Sequence, residues 1–365
     1  MKFLNILFLI PLLFCISCTD KTNLDQFPIT NNGGGSGLGD VVYVQQSPTW
    51  NQFNQPQAVL IGREPLVYVC DTKNNRIVQL DISGVEIGAL GIRNPTAIAQ
   101  DYNYDLLAIG DSLYRRQNLL DTTVYYDTIS VVYRIKLQPV QGFLSQASLL
   151  PLIGSDYPTP LTSRKRRFTG VAVYSDNTYL ITRIGPDNMS ALDPDNAILN
   201  VTGINSVTNV TSLSGFQTNG NGIYSIANLS GITTFNNSTI DFIVTRNTPD
   251  FGFKIEWFVY DNLKGTFNPK FLPGENVTIL DKQLGTPEGV CVDLNSNVFV
   301  VDNTLDSLFK YSSAGAYKPE SFGGIGSGTN KLDGPMGVSF FNKVLYIADT
   351  KNNRIVRYKL STDIQ

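Results

Sequence analysis

Three sets of side chains in this sequence stand in patterns that can do chemistry. Thr182-Arg183-Ile184-Gly185-Pro186-Asp187 and Thr245-Arg246-Asn247-Thr248-Pro249-Asp250 share the form Thr-Arg-x-x-Pro-Asp. Two guanidiniums on equivalent turns suit a carboxylate, a phosphate or an acidic sugar, because the planar fork donates parallel hydrogen bonds. The structural alternative is that Arg183 pairs with Asp187, and Arg246 with Asp250, only to shape each loop. Glu288, in Pro287-Glu288-Gly289, is a lone carboxylate able to help hold Ca²⁺, an ion that takes oxygen ligands and needs no histidine. Asp71 with Arg76, and Asp349 with Arg354, recur in two identical copies of Asp-Thr-Lys-Asn-Asn-Arg-Ile-Val. Each copy offers a charge-assisted pair across a turn, and the expected role is structural.

Composition narrows the chemistry further. The 365 residues include no histidine. That removes the usual general base near neutral pH and the commonest transition-metal ligand. Hydrophobic residues make up 42% and charged residues 16%, enough apolar material for a core and too little charge for disorder. Gly 31, Tyr 17 and Phe 20 favour strands and tight turns. A net charge of −3 gives no general attraction to nucleic acid, and Arg164-Lys165-Arg166-Arg167 is expected to be a solvated basic loop.

The elements that must position these groups repeat along the chain. Val67-Tyr68-Val69-Cys70 precedes the first copy of the eight-residue segment and Leu345-Tyr346-Ile347-Ala348 the second. Alternating strands ending at Asp111, Thr182, Thr245 and Asp302 fill the interval. Before each comes an entry segment: Pro56-Gln57-Ala58, Pro95-Thr96-Ala97, Thr169-Gly170-Val171, Asn221-Gly222-Ile223, Pro287-Glu288-Gly289 and Pro335-Met336-Gly337. Glu288 is therefore expected at a channel entrance where the other units carry Gln57, Thr96, Gly170, Gly222 and Met336. Both arginines are expected on that same face.

The pattern Pro-x-Gly-Val-x-Val-Asp, followed by Val-Tyr-Val-x-Asp-Thr-x-Asn-Asn-Arg-Ile, resembles the NHL repeat. The resemblance covers residues 41–361 and implies an all-β, six-bladed β-propeller. It is close in the first, fifth and sixth units and loose in the middle three. The last unit supplies only three strands, and Val41-Val42-Tyr43-Val44-Gln45 is an orphan expected to pair with it and close the ring. Among six-bladed propellers, the gluconolactonase-like enzymes hold a channel metal with Glu, Asn and Asp. Glu288 is the candidate for that Glu, and the sequence does not single out the matching Asn and Asp. The histidine-dependent amidating lyases and streptogramin lyases are excluded by composition.

The N-terminus reads as an export signal over residues 1–17: Lys2, an apolar run from Phe3 to Phe14, then Ser17 before Cys18. It resembles a bacterial lipoprotein signal, which implies lipidation at Cys18; Cys15 departs from the usual Leu. Residues 18–40, with Asn31-Asn32-Gly33-Gly34-Gly35-Ser36-Gly37, read as a flexible tether, and residues 362–365 as a tail. Cys70 and Cys291 are expected as buried free thiols in non-neighbouring blades. Asp111-Ser112-Leu113, Asp121-Thr122-Thr123, Asp127-Thr128-Ile129 and Asp306-Ser307-Leu308 resemble the O-glycosylation motif of Bacteroidota. The combined expectation is a binding or scaffold propeller, lipid-anchored at the cell envelope (outer membrane, cell surface or periplasmic face). Its partner is a protein, peptide or glycan, with no cofactor and no nucleic acid. The alternative is a Ca²⁺-dependent hydrolase or lactonase centred on Glu288.

Overall fold

The computed structural model describes residues 40–117, 121–158, 165–235, 239–248, 252–275, 277–281 and 283–364. The export signal, Cys18 and the tether up to residue 39 lie outside the described residues, as do Arg164 and Asp250. Residues 41–365 form one compact unit.

That unit is a six-bladed β-propeller of four-stranded antiparallel sheets. Blades 1 to 5 span residues 58–91, 97–154, 167–212, 229–269 and 287–323. Blade 6 takes three strands from the C-terminal end, Gly337–Phe341, Val344–Asp349 and Arg354–Leu360, and its outermost strand, Tyr43–Trp50, from the other end of the domain. The closing strand runs antiparallel to Arg354–Leu360 with Tyr43 opposite Leu360 and Trp50 opposite Ile355. It extends five residues further than the segment 41–45 suggests. Tyr43 and Trp50, both buried, anchor its two ends.

The blades hold together because strand side chains alternate between two neighbours. In Val67–Asp71, Val67 and Val69 face blade 6 while Tyr68 and Cys70 face blade 2. Both faces are covered, so the segment reads as a continuous apolar run. Among the described residues an apolar cluster fills each of the six blade interfaces. Glycine in the entry segment has a packing cause: a Cβ on Gly289 would lie 2.6 Å from the Met336 carbonyl, and one on Gly337 2.7 Å from that of Gln57.

The duplicated segment is a fastening. Asp71 is buried, its Oδ2 accepting from Arg76 Nε and Asn74 Nδ2, both at 2.8 Å, and its Oδ1 from the Asn54 N–H at 2.7 Å. Asp349 repeats this with Arg354, Asn352 and the Asp333 N–H. Each carboxylate thus pins its turn and the loop entering its own blade. The adjacent threonines reach the next blade: Thr72 donates to the Pro95 carbonyl and Thr350 to that of Pro56, each at 2.7 Å.

Two local readings change. The segment 221–226 is not the inner strand of blade 4; it is a loop joined by a parallel bridge between Gln217 and Ser225, and the inner strand is Leu229–Thr234. In blade 2 the second strand does not stop at Asp111. It runs to Gln117, pairing with Val124–Lys136 in a long hairpin. Three of the four glycosylation-like motifs fall on or at the tip of this hairpin.

Candidate functional site at the channel mouths

The six inner strands surround a central channel with a cavity at each mouth. Val59, Ile98, Val171, Ile232, Val290 and Val338, one from each blade, line both cavities and form an apolar waist between them. The first cavity, of about 450 Å³, opens where the inner strands begin. Its rim carries Gln57, Thr96, Thr169, Ser230, Glu288 and Met336. Blade 3 therefore presents Thr169 rather than Gly170, and blade 4 Ser230 rather than Gly222. Each rim residue stands two positions before its waist residue, as Gln57 before Val59 and Thr169 before Val171. Bulges between Phe168 and Gly170, between Leu229 and Gly231, and between Pro287 and Val290 occur at three of these entries.

Glu288 is the one ionisable side chain among the described residues of this cavity's lining. Blade 4 sets its backbone. Thr245 Oγ1 donates to the Glu288 carbonyl at 2.6 Å and Ser230 Oγ to the Pro287 carbonyl at 2.5 Å. The carboxyl itself is half-buried and takes no hydrogen bond from a described residue. Burial, helped by the charge of Asp302, pushes its pKa up to about 7. Near neutral pH it can therefore accept or donate a proton, or donate a hydrogen bond in its acid form.

Asn228 and Asn247, which sequence reasoning did not select as site residues, line the same mouth. Asn247 stands inside the Thr-Arg-x-x-Pro-Asp motif, directly after the buried Arg246. Asn228 has a left-handed backbone, φ 57°, a conformation asparagine tolerates. Among the described residues no group of three or more His, Cys, Asp and Glu side chains is placed to hold a metal. The side-chain amides in the lining that holds Glu288 are those of Asn228, Asn247 and Gln57.

The two arginines stand elsewhere and are not ligand-facing. Arg183 is buried, with Nε on the Asp195 carbonyl, Nη1 on that of Tyr157, and Nη2 on Pro194 O and, at 3.3 Å, Asp193 Oδ1. Arg246, also buried, serves the carbonyls of Ala227, Gly220, Gly222 and Phe253, Ser225 Oγ and the Glu256 carboxylate. Neither lines either cavity. A guanidinium placed beneath a long loop satisfies carbonyls that water cannot reach, and that use consumes the donors a ligand would need. Asp187 is exposed and does not pair with Arg183; its N–H donates to Asp195 Oδ2. In the basic run, Lys165 is exposed, but Arg166 is buried against Asp193 and Asp195, so the run is not a wholly solvated loop.

The second cavity, of about 660 Å³, opens at the opposite mouth and is lined by Arg63, Gln100, Thr233, Cys291, Asp293, Ser339 and Asn342 among others. Cys291 is half-buried here, not buried like Cys70, and both thiols are free. Burial raises both thiols far above the usual range, so they stay protonated.

No protein-family model matches the chain, and no curated protein matches it. Solved structures do share the fold. A gluconolactonase from Xanthomonas campestris aligns with a TM-score of 0.56 at 12% identity, over 88% of this chain and 90% of that one. An auxiliary nutrient binding protein from Bacteroides ovatus aligns with a TM-score of 0.55 at 12% identity, over 88% and 73%. A luciferin-regenerating enzyme aligns with a TM-score of 0.54 at 11% identity, over 88% and 95%. At such identities the likeness is one of fold.

Proposed function

We propose that this chain is an NHL-like binding propeller, exported and tethered to the cell envelope through lipidated Cys18, that takes a hydroxyl-rich glycan in the mouth around Glu288. The observation that carries this reading is the rim itself. Gln57, Thr96, Asn228 and Asn247 set neutral donors and acceptors around one carboxyl, with Thr169 and Ser230, whose hydroxyls already bond Thr182 and the Pro287 carbonyl, completing the rim above an apolar waist. Such a rim matches the alternating hydroxyls and C–H faces of a sugar better than it matches a charged ligand.

The blade 2 hairpin adds aromatic surface on the same face. Inner strand and hairpin are in register at Ala97 and Ile109, and the hairpin continues beyond to Gln117 and Val124. There it exposes Tyr114, Tyr125 and Tyr126. Tyrosine combines an apolar ring with a wet hydroxyl, which suits a surface that meets sugar rings or peptide. The Bacteroides ovatus neighbour, described as nutrient binding, agrees with this use of the fold.

The test is a thermal-shift and calorimetric panel of neutral oligosaccharides against the full chain and the Asn228→Ala/Asn247→Ala double variant. Binding by the parent that the variant loses supports the mouth as the site. Equal binding by both removes it.

One observation favours a second reading, a Ca²⁺-dependent hydrolase of the gluconolactonase-like type. Glu288, raised to about 7, shares its cavity with three side-chain amides. Calcium, if held there, would polarise an ester carbonyl. Metal analysis of the full chain and of Glu288→Gln decides: one Ca²⁺ per chain, lost in the variant, supports the hydrolase, and a metal-free parent in calcium buffer opposes it.

A further inference from the structure

We infer that the opposite mouth of the channel is a separate anion site, in which Arg63 receives the carboxylate of a small acid whose apolar part points toward the valine–isoleucine waist. The evidence begins with the guanidinium. Arg63 lines the larger cavity, and its Cζ lies 3.4 Å from the ring centroid of Tyr102. Stacking on an aromatic face fixes the plane of the guanidinium and leaves its edge, where the N–H groups are, for an acceptor. Nε of Arg63 is closed off from solvent and has no acceptor among the described residues, so a ligand in the chamber would meet the Nη groups, for which no described residue supplies an acceptor either.

Among the described residues no carboxylate pairs with it. Glu64, the adjacent residue, accepts from the Tyr68 hydroxyl and, at 2.7 Å, from Gln100 Nε2. Asp293, on the same rim, accepts the N–H groups of Asn295 and Asn297 and the Asn297 side chain, at 2.7–2.8 Å. Arg166, Arg183, Arg246 and Arg354 spend their donors on carbonyls and carboxylates; Arg134 and Arg357 also keep a buried nitrogen without an acceptor, but neither lines a channel cavity. Arg63 thus has a donor edge without an internal partner, in a cavity large enough for a ligand.

The rest of the chamber selects the ligand class. Thr233, Ser339 and Asn342 add neutral polar groups near the rim, while the waist beyond is apolar. A carboxylate satisfies the guanidinium with two oxygens, and a short alkyl or aryl body packs against the apolar waist. Asp293 at the same mouth favours a monoanion over a dianion. This site shares only the waist with the rim around Glu288 and does not depend on what that rim binds.

Calorimetry of the full chain with hexanoate, its neutral analogue hexanamide, and acetate tests the inference. Hexanoate is expected to bind at least tenfold more tightly than hexanamide, and more tightly than acetate. Arg63→Gln is expected to bring hexanoate down to the hexanamide level with an unchanged melt. Should that variant fail to fold, hexanoate must protect Arg63 in the parent from an arginine-directed reagent, read by peptide mass spectrometry. Equal affinity for hexanoate and hexanamide, no binding of either, full binding by Arg63→Gln, or no protection of Arg63 would each overturn it.

Discussion

Thr350 Oγ1 donates a 2.7 Å hydrogen bond to the Pro56 carbonyl, joining the last blade to the first across the seam of the ring. Thr72 makes the same bond to Pro95 between blades 1 and 2. Both threonines follow the aspartate of the duplicated segment, and both are buried. Thr350→Val keeps the shape and removes the donor, leaving a buried carbonyl unpaired, so it should cost about 1–2 kcal/mol. Thr350→Ser should recover most of that. Denaturant melts of the three proteins check it, and an unchanged midpoint in the valine variant would show that the seam does not need the bond.

The two copies of the segment should respond unequally to loss of their arginines. The Arg354 side chain is 10% exposed and also holds the carbonyls of Ser327 and Lys331, whereas Arg76 is 29% exposed. Arg354→Ala should therefore cost about 3–5 kcal/mol, the range for stranding a buried charge. Water can replace part of what Arg76 supplies, and Arg76→Ala should cost about 1–2 kcal/mol. Equal losses in equilibrium unfolding would contradict this ordering.

Arg246→Ala should unfold blade 4 rather than abolish binding alone. The substitution leaves Glu256 buried without its counter-charge, at an expected cost of about 3–5 kcal/mol. Burial already holds the Glu256 pKa well above the usual carboxylate range, opposed by Arg246. Adding Glu256→Gln should consequently restore part of the stability. A double variant no more stable than the single one would show that the loop contacts of Arg246, not the ion pair, carry its role.

Glu288 should make stability depend on pH. Its folded pKa of about 7 lies above the ordinary 4.5, so the folded state binds the proton more tightly than the unfolded state. The contribution is fully present below pH 4.5 and is lost as pH rises through 7. Relative to Glu288→Gln, the parent should lose stability on the order of 1–3 kcal/mol across that window. Parallel melting curves for the two proteins between pH 4.5 and 7.5 would place Glu288 in a more water-like setting.

The sequence by itself determined the ring. Alternating apolar strands, the Pro-x-Gly entries and the duplicated Asp-Thr-Lys-Asn-Asn-Arg segment each respond to a local requirement: two covered faces, a carbonyl against a missing Cβ, a turn pinned by a carboxylate. Those requirements repeat with every blade, and so does their signature. The orphan strand at Tyr43 was legible for the same reason, since an unpaired edge demands a partner.

Only the tertiary structure decided which polar groups are spent and which are free. Arg183 and Arg246 share a motif that Arg63 lacks, yet the motif pair lie beneath loops full of carbonyls and Arg63 faces an open chamber. Hydrogen-bond satisfaction depends on long loops folding back from elsewhere, with Gly220 and Ser225 reaching Arg246 and Asp193 reaching Arg183. No local pattern encodes such contacts. The rim position of blade 3 is Thr169, two residues before the waist residue Val171 as Glu288 is before Val290, and only the shared waist shows that Gly170 is one residue off that alignment. The candidate site therefore shifted from the motif arginines to the carboxyl, amides and hydroxyls that six separate strands bring around one axis.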